Sequence, residues 1–290
     1  MTVATAANVD VQLRYERIKP KIGARVLNSK EELLTGELSP AILDLMEEVG
    51  VVVFPELHLT DAEQVQFSNS LGGNAEELAG QNQDAVFKVT LDEKNQQKNV
   101  VEYLKGSLFW HIDGTMNPTP IRASMLSAQV LAPEGGDTEF ANTATSYADL
   151  SDEQKAELEG LRVVHSLWAS QFYHTPEPTA EQLADWQSKG EAEIPLVVTN
   201  SAGKKSLVLG NTAHYIRGMD MKDSQRILHG LRDFATSEPY VYRHVWKVGD
   251  TVMWDNRTSL HKATPYDPYS GRMMHRTIIK GGEAWEVVKG

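Results

Sequence analysis

Apolar and polar positions along the chain switch repeatedly between a helical period and a strand period. Ser39-Pro40 predicts a helix start, with serine as cap and proline tolerated in the first turn. Ile42, Leu43, Leu45, Met46 and Val49 give that helix one apolar face, and Gly50 is placed to end it. Thr60-x-x-Glu63 is a capping-box pattern for a second helix that stops near Gly72-Gly73. Ser151-x-x-Gln154 opens a third, ending near Gly160. Asp223 to Thr236 predicts a fourth, with Ile227, Leu228, Leu231 and Phe234 turned inward. Between the helices lie runs of strand character: Val51–Phe54, Ala123–Val130, Leu161–Leu167, Leu196–Thr199, Ser206–Leu209, Tyr240–Trp246, Thr251–Trp254 and Met273–Ile279.

These runs do not alternate strictly with helices, and no Gly-x-Gly-x-x-Gly follows a strand. That argues against a Rossmann-type sheet. Many short strands with inserted helices predict a mainly β jelly-roll core. No internal repeat or Pro/Gly-rich linker interrupts the pattern. A single domain over residues 1–290 is expected, with about 1–18 as an N-terminal arm.

Composition narrows the chemistry. The chain has no cysteine, which excludes disulfides, thiolate zinc sites, iron–sulfur clusters and cysteine nucleophiles. Any metal must therefore be held by imidazole and carboxylate. The formal net charge is -12, and no stripe of lysine and arginine offers a path for nucleic acid. No apolar run approaches the ~20 residues needed to span a bilayer, and no secretory signal is seen at the N-terminus. A cytoplasmic location is expected.

Within Trp110-His111-Ile112-Asp113, the imidazole and the carboxylate are two residues apart. On a strand that spacing puts both on one face, with Ile112 on the other. One histidine and one carboxylate make two ligands of a facial triad that leaves metal positions open for substrate and oxygen. A histidine on another strand would complete it, and His261 is the candidate. His-x-Asp is common by chance and the chain holds nine histidines, so the pair alone decides nothing. His165, His214, His229, His244 and His275 are read as packing, surface or hydrogen-bonding residues.

Gly271-Arg-Met-Met-His-Arg-Thr-Ile-Ile279 adds an independent signal. Arg272, Met274 and Arg276 share one strand face. If that face is inward, two guanidiniums enter the core and call for anions, because a buried unpaired charge is costly. The planar fork of arginine matches a carboxylate. If the face is outward, both arginines pair with some of the 40 acidic residues.

Taken together, Trp110–Asp113, Gly135-Gly-Asp-Thr-Glu-Phe-Ala-Asn142, Trp254-Asp-Asn-Arg-Thr-Ser-Leu-His261 and the Arg272/Arg276 pair resemble the iron(II)/2-oxoglutarate dioxygenases of the taurine dioxygenase/2,4-D dioxygenase family. The likeness runs from about Lys19 to about Gly281, and Lys21–Val26 resembles the family's first strand. The resemblance implies a double-stranded β-helix core, iron(II) as cofactor, and 2-oxoglutarate and O2 as co-substrates. It implies iron ligation by His111, Asp113 and His261. Arg272, eleven residues after His261, would take the distal carboxylate of 2-oxoglutarate with help from the Thr138 hydroxyl. Arg276 would take the anionic group of the primary substrate. Ile112 replaces the small hydroxyl residue often found between the ligands. Gln81–Lys105 lies where the family builds its substrate pocket and lid, and it matches no pattern residue by residue.

Ser124–Val130 with Gly135–Phe140 stands nearer the phenoxyacetate-cleaving branch than the taurine branch. The expected reaction is therefore hydroxylation of an aryloxyalkanoate-type anion next to its ether oxygen, after which the product falls apart. An alkylsulfonate or sulfate ester is the alternative substrate. Outside this chemistry stand a cupin-like metalloenzyme that consumes no 2-oxoglutarate, and a binding protein that keeps the fold without activity. A halogenase needs an open position where Asp113 supplies a carboxylate. Trp110 and Trp254 are expected to pack near the site, and association into a homo-oligomer is expected by analogy.

Overall fold

The computed structural model of the protein describes residues 11–73, 86–200, 202–282 and 284–285. Its strands are Tyr15–Arg17 (β1), Ala24–Val26 (β2), Val51–Phe54 (β3), Phe87–Val89 (β4), Ala123–Val130 (β5), Thr138–Asn142 (β6), Arg162–Ser166 (β7), Glu191–Pro195 (β8), Val197–Thr199 (β9), Lys205–Leu207 (β10), Ala213–Ile216 (β11), Val241–His244 (β12), Thr251–Asp255 (β13), Ser259–Ala263 (β14) and Met273–Ile279 (β15). A seven-stranded sheet runs β1-β2-β3-β13-β5-β15-β4. A three-stranded sheet, β12-β6-β14, faces it, and β11-β7-β8 and β10-β9 extend the second layer. Two facing sheets of mostly antiparallel, sequence-distant strands make the jelly-roll core. Among the described residues the sheets do not close into a continuous barrel.

The large sheet is covered on both sides, which explains the continuous apolar run Val51–Phe54 of β3. In β3, Val52 and Phe54 pack outward with the helix Ser39–Val49 and with Phe67 of the helix Asp61–Ser70, while Val51 and Val53 pack inward. In β13, Met253 faces outward and Val252 and Trp254 inward. β15 follows the same period: Ile279 is outward, Met274 and Ile278 inward. Phe140 of β6 meets Trp254 with ring centroids 5.4 Å apart and closes the inner layer between the sheets. Each such buried side chain contributes about 1.5–3 kcal/mol.

Local signals formed as the sequence predicts at several helix ends. The capping boxes at Thr60/Glu63 and Ser151/Gln154 are both complete, and Gly50 ends its helix at φ 78°. Ser39 differs. It is the first residue of its helix, Leu38 takes the cap position, and the Ser39 hydroxyl bonds the Ser70 hydroxyl at 2.9 Å instead. The tertiary partner won over the local cap. The helix at Met221–Ala235 is capped by Asp220 and buries Leu228, with Ile227, Leu231 and Phe234 partly buried on the same core.

The expected N-terminal arm overlaps ordered structure. Residues 1–10 lie outside the described residues, but Tyr15–Arg17 pairs with Ala24–Val26 across a turn closed by Ile18 N–H on the Gly23 carbonyl at 2.9 Å. Gly23 takes φ 85°, which that turn requires. No helix among the described residues is long and apolar enough to cross a membrane.

Candidate metal centre

His111 is not on a regular strand. It forms an isolated β-bridge with His261 of β14, and the two main chains exchange hydrogen bonds of 3.0 and 2.9 Å. The imidazoles therefore leave one bridge side by side, with ring centroids 4.0 Å apart. Asp113 follows in a turn, and Ile112 packs away into the apolar core under β7 and β11. One bridge and a turn thus achieve the convergence that strand alternation predicts. His111 Nε2 lies 3.8 Å from Asp113 Oδ1, and His261 Nε2 lies 3.7 Å from Asp113 Oδ2. Among the described residues these three form a cluster of donor atoms within 4.8 Å of one another.

Protonation suits metal binding. The Phe109 carbonyl lies 2.9 Å from His111 Nδ1, so Nδ1 carries the proton and the Nε2 lone pair is left for a ligand. Burial holds His261 well below the usual histidine range, aided by neighbouring His111 and Arg276 and opposed by Asp113. Burial alone would raise the Asp113 carboxyl. His261, Arg276, His111 and the Ser124 hydroxyl outweigh it and hold the group at about 2. Two imidazoles and an ionised carboxylate fit a divalent first-row metal with positions to spare.

The cluster opens on a cavity of about 310 Å³ that also holds Thr138, Arg272 and Arg276. Arg276 lies on the inward face of β15, its guanidinium 4.0 Å from Asp113 Oδ1 and over the Phe87 ring at 4.8 Å. Arg272 stands just before β15, and a register irregularity between Met273 and Met274 separates it from the strand. It still enters the same cavity and is only 3% exposed. Its Nη2 donates to the Gly136 carbonyl at 2.8 Å, its guanidinium sits 4.6 Å over the Tyr266 ring, and its Nε has no partner. Burial lowers the Arg272 pKa, with Tyr266 and Asp137 opposing. A buried guanidinium with an unused donor is poised for an anion. The Trp246 indole donates to Thr138 Oγ1 at 3.0 Å, so the hydroxyl proton of Thr138 is free to point at a ligand.

The segment expected as pocket and lid, Gln81–Lys105, is described from residue 86 onward. β4 and the helix Lys98–Leu104 form one wall through Val89, Leu91, Tyr103 and Leu104. Tyr103 borders the open cavity and is 56% exposed. The sequence pattern did not single out Tyr103, Ser124, Asn256, Tyr266 or Gly136. Trp254 packs on His261 at 4.6 Å between ring centroids, as expected of it.

The model of the taurine catabolism dioxygenase TauD, TfdA family matches residues 14–278. The chain belongs to this family. It is 36% identical over 247 residues to the (S)-phenoxypropionate/alpha-ketoglutarate-dioxygenase of Sphingobium herbicidovorans, covering 82% of this chain and 85% of that one. It is 30% identical to an alkylsulfatase of Acinetobacter baylyi, over 94% of this chain and 87% of that one. The crystal structure of AAD-2 with Mn(II) and N-oxalylglycine superposes with a TM-score of 0.83 at 29% identity, covering 95% of this chain and 99% of that one. As a TauD/TfdA family dioxygenase, the chain is a 2-oxoglutarate-dependent oxidoreductase with a jelly-roll core, using Fe(II), 2-oxoglutarate and O2.

Proposed function

We propose that the protein hydroxylates an aryloxyalkanoate-type carboxylate beside its ether oxygen, with iron held by His111, Asp113 and His261. One observation carries this reading: two inward arginines, one of them buried, share a single cavity with the two-histidine, one-carboxylate cluster. Two carboxylates must be accommodated, one from each co-substrate and substrate, and two guanidiniums are there to receive them. Arg272 with Thr138 takes the distal carboxylate of 2-oxoglutarate. Arg276 takes the carboxylate of the primary substrate. Val89, Leu91, Leu104, Met116 and Leu126 supply apolar wall for an aromatic body.

The bound iron supplies the coupling of 2-oxoglutarate oxidation, to succinate and CO2, with insertion of one oxygen atom of O2 into a substrate C–H bond. The chain's part is placement. Arg272 orients 2-oxoglutarate, and Arg276 fixes the distance between the substrate carboxylate and the cluster. The apolar wall excludes water. Hydroxylation at the carbon that bears the aryloxy group gives a hemiketal or hemiacetal, which releases a phenol and leaves a 2-oxo acid.

The test has two stages. Fe(II) and 2-oxoglutarate added to the apoprotein without oxygen should give the weak visible charge-transfer band of the chelate. With oxygen, aryloxyalkanoates should yield succinate and phenol in equal amounts. Turnover confined to alkylsulfonates or sulfate esters would move the substrate to that class. No band and no succinate with any substrate would refute the proposal.

A further inference from the structure

Asp113 does not stand alone on its turn. The Trp254 indole N–H donates to Asn256 Oδ1 at 3.1 Å, Asn256 Nδ2 donates to Ser124 Oγ at 2.9 Å, and the Ser124 hydroxyl donates to Asp113 Oδ2 at 2.6 Å. All four side chains are buried or nearly so: Trp254 is 2% exposed, and Asn256 and Ser124 are 0% exposed.

The direction of this chain of bonds is forced. An indole N–H can only donate, so the Asn256 atom it meets must be the amide oxygen. The Asp113 main-chain N–H points at the same oxygen, at 3.4 Å. The amide nitrogen is therefore turned to Ser124, whose oxygen accepts. The single hydroxyl proton of Ser124 has one remaining partner, Asp113 Oδ2. An asparagine orientation that is otherwise ambiguous is settled by its neighbours.

We propose that Trp254, Asn256 and Ser124 are positioning residues that lock the Asp113 carboxylate, engaging Oδ2 and fixing the orientation in which the group faces His111 and His261. The lock has a competitor. Arg276 lies 4.0 Å from Oδ1, so a small rotation of a free carboxylate would close a direct ion pair. That pair would consume the metal ligand and the substrate anchor together. The Ser124 bond holds the carboxylate back from it. This inference rests on the reading of Asp113 as a metal ligand.

The test measures Co(II) affinity of the apoprotein by competition with a chromophoric chelator, with the Co(II) visible bands as a second readout. Ser124→Ala removes the last donor. Asn256→Asp keeps the shape and still accepts from Trp254, but it cannot donate to Ser124, so the hydroxyl turns toward the introduced carboxylate. Each should weaken Co(II) binding about 10- to 100-fold, the usual scale for losing an outer partner of a metal ligand. Each should also shift the Co(II) bands, and the double variant should be no weaker than the worse single one. A simple Coulomb view of Asn256→Asp predicts tighter binding, the opposite sign. Wild-type affinity in Ser124→Ala, or unchanged or tighter binding in Asn256→Asp, overturns the lock. If one variant fails to fold, the other decides. His111→Ala separates the two levels. If it abolishes Co(II) binding while Ser124→Ala does not weaken it, only the lock fails. If His111→Ala binds normally, the metal reading itself fails.

Discussion

The Arg272 guanidinium rests against Gly136: a Cβ added there would stand 2.7 Å from Arg272 Nε, while the Gly136 carbonyl accepts from Nη2 at 2.8 Å. Gly136 also sits at φ 73°, where a side chain costs about 1–2 kcal/mol. Gly136→Ala should therefore displace the guanidinium. A charge-assisted bond is worth about 1.5–3 kcal/mol, so 2-oxoglutarate affinity should fall about tenfold or more. Anaerobic titration of the charge-transfer band reads this directly. An unchanged 2-oxoglutarate constant would separate Arg272 from that ligand.

Arg272 and Arg276 should fail in different ways. Arg276→Ala is expected to raise KM for the primary substrate by about 100-fold, on the scale of a lost charge-assisted carboxylate pair, with 2-oxoglutarate binding nearly intact. Arg272→Ala should show the reverse. Equal losses of both ligands in either variant would contradict the division of labour.

Thr138→Val keeps the volume and removes the hydroxyl. The Trp246 indole N–H loses its acceptor, for which about 1–3 kcal/mol of stability is expected to go. 2-Oxoglutarate affinity should fall by about tenfold or less, a single hydrogen bond's worth. Chemical denaturation and the same band titration report the two effects separately, and a stability loss without any change in 2-oxoglutarate binding would assign Thr138 to Trp246 alone.

Acid should destabilise the fold through His165. This histidine is fully buried, Nδ1 bonds Thr212 Oγ1 at 2.9 Å, and burial holds its pKa down at about 3 from 6.5. Below pH 6.5 the unfolded chain takes a proton that the folded chain refuses, so stability falls as pH drops from 6.5 toward 3. His165→Phe removes this titration, and Thr212 keeps the Thr115 hydroxyl as partner at 3.1 Å. Between pH 7.5 and 5, the urea midpoint of the variant should drop less than that of the wild type. Parallel drops would mean that other groups govern acid sensitivity.

Much of this was readable where the signal is local or continuous. β5 and β15 coincide with the runs Ala123–Val130 and Met273–Ile279, because no Gly, Pro, Asn or Asp interrupts either run. The capping boxes at Thr60 and Ser151 need only four residues, so they too were plain. β6 was not among the expected runs, and β14 was expected only as the strand that carries His261: Thr-Glu-Phe-Ala-Asn and Ser-Leu-His-Lys-Ala carry too much polarity to stand out, since their polar atoms serve the cavity and the sheet edge. The site split along the same line. His111, Asp113, His261, Arg272 and Arg276 could be placed by spacing and family likeness. Ser124 and Asn256 could not, because their partnership joins positions 132 residues apart and leaves no periodic trace.

β4 is the outer edge of the seven-stranded sheet, and the wall it begins packs in a small apolar group of its own around Leu91, Val101 and Leu104. The histidines and the aspartate are anchored elsewhere, on the bridge and the turn, but the wall reaches both arginines: Phe87 lies under Arg276, and Tyr266, which packs on this apolar group, lies under Arg272. Mutations that reshape the wall therefore act on the two arginines before they reach the cluster of His111, Asp113 and His261.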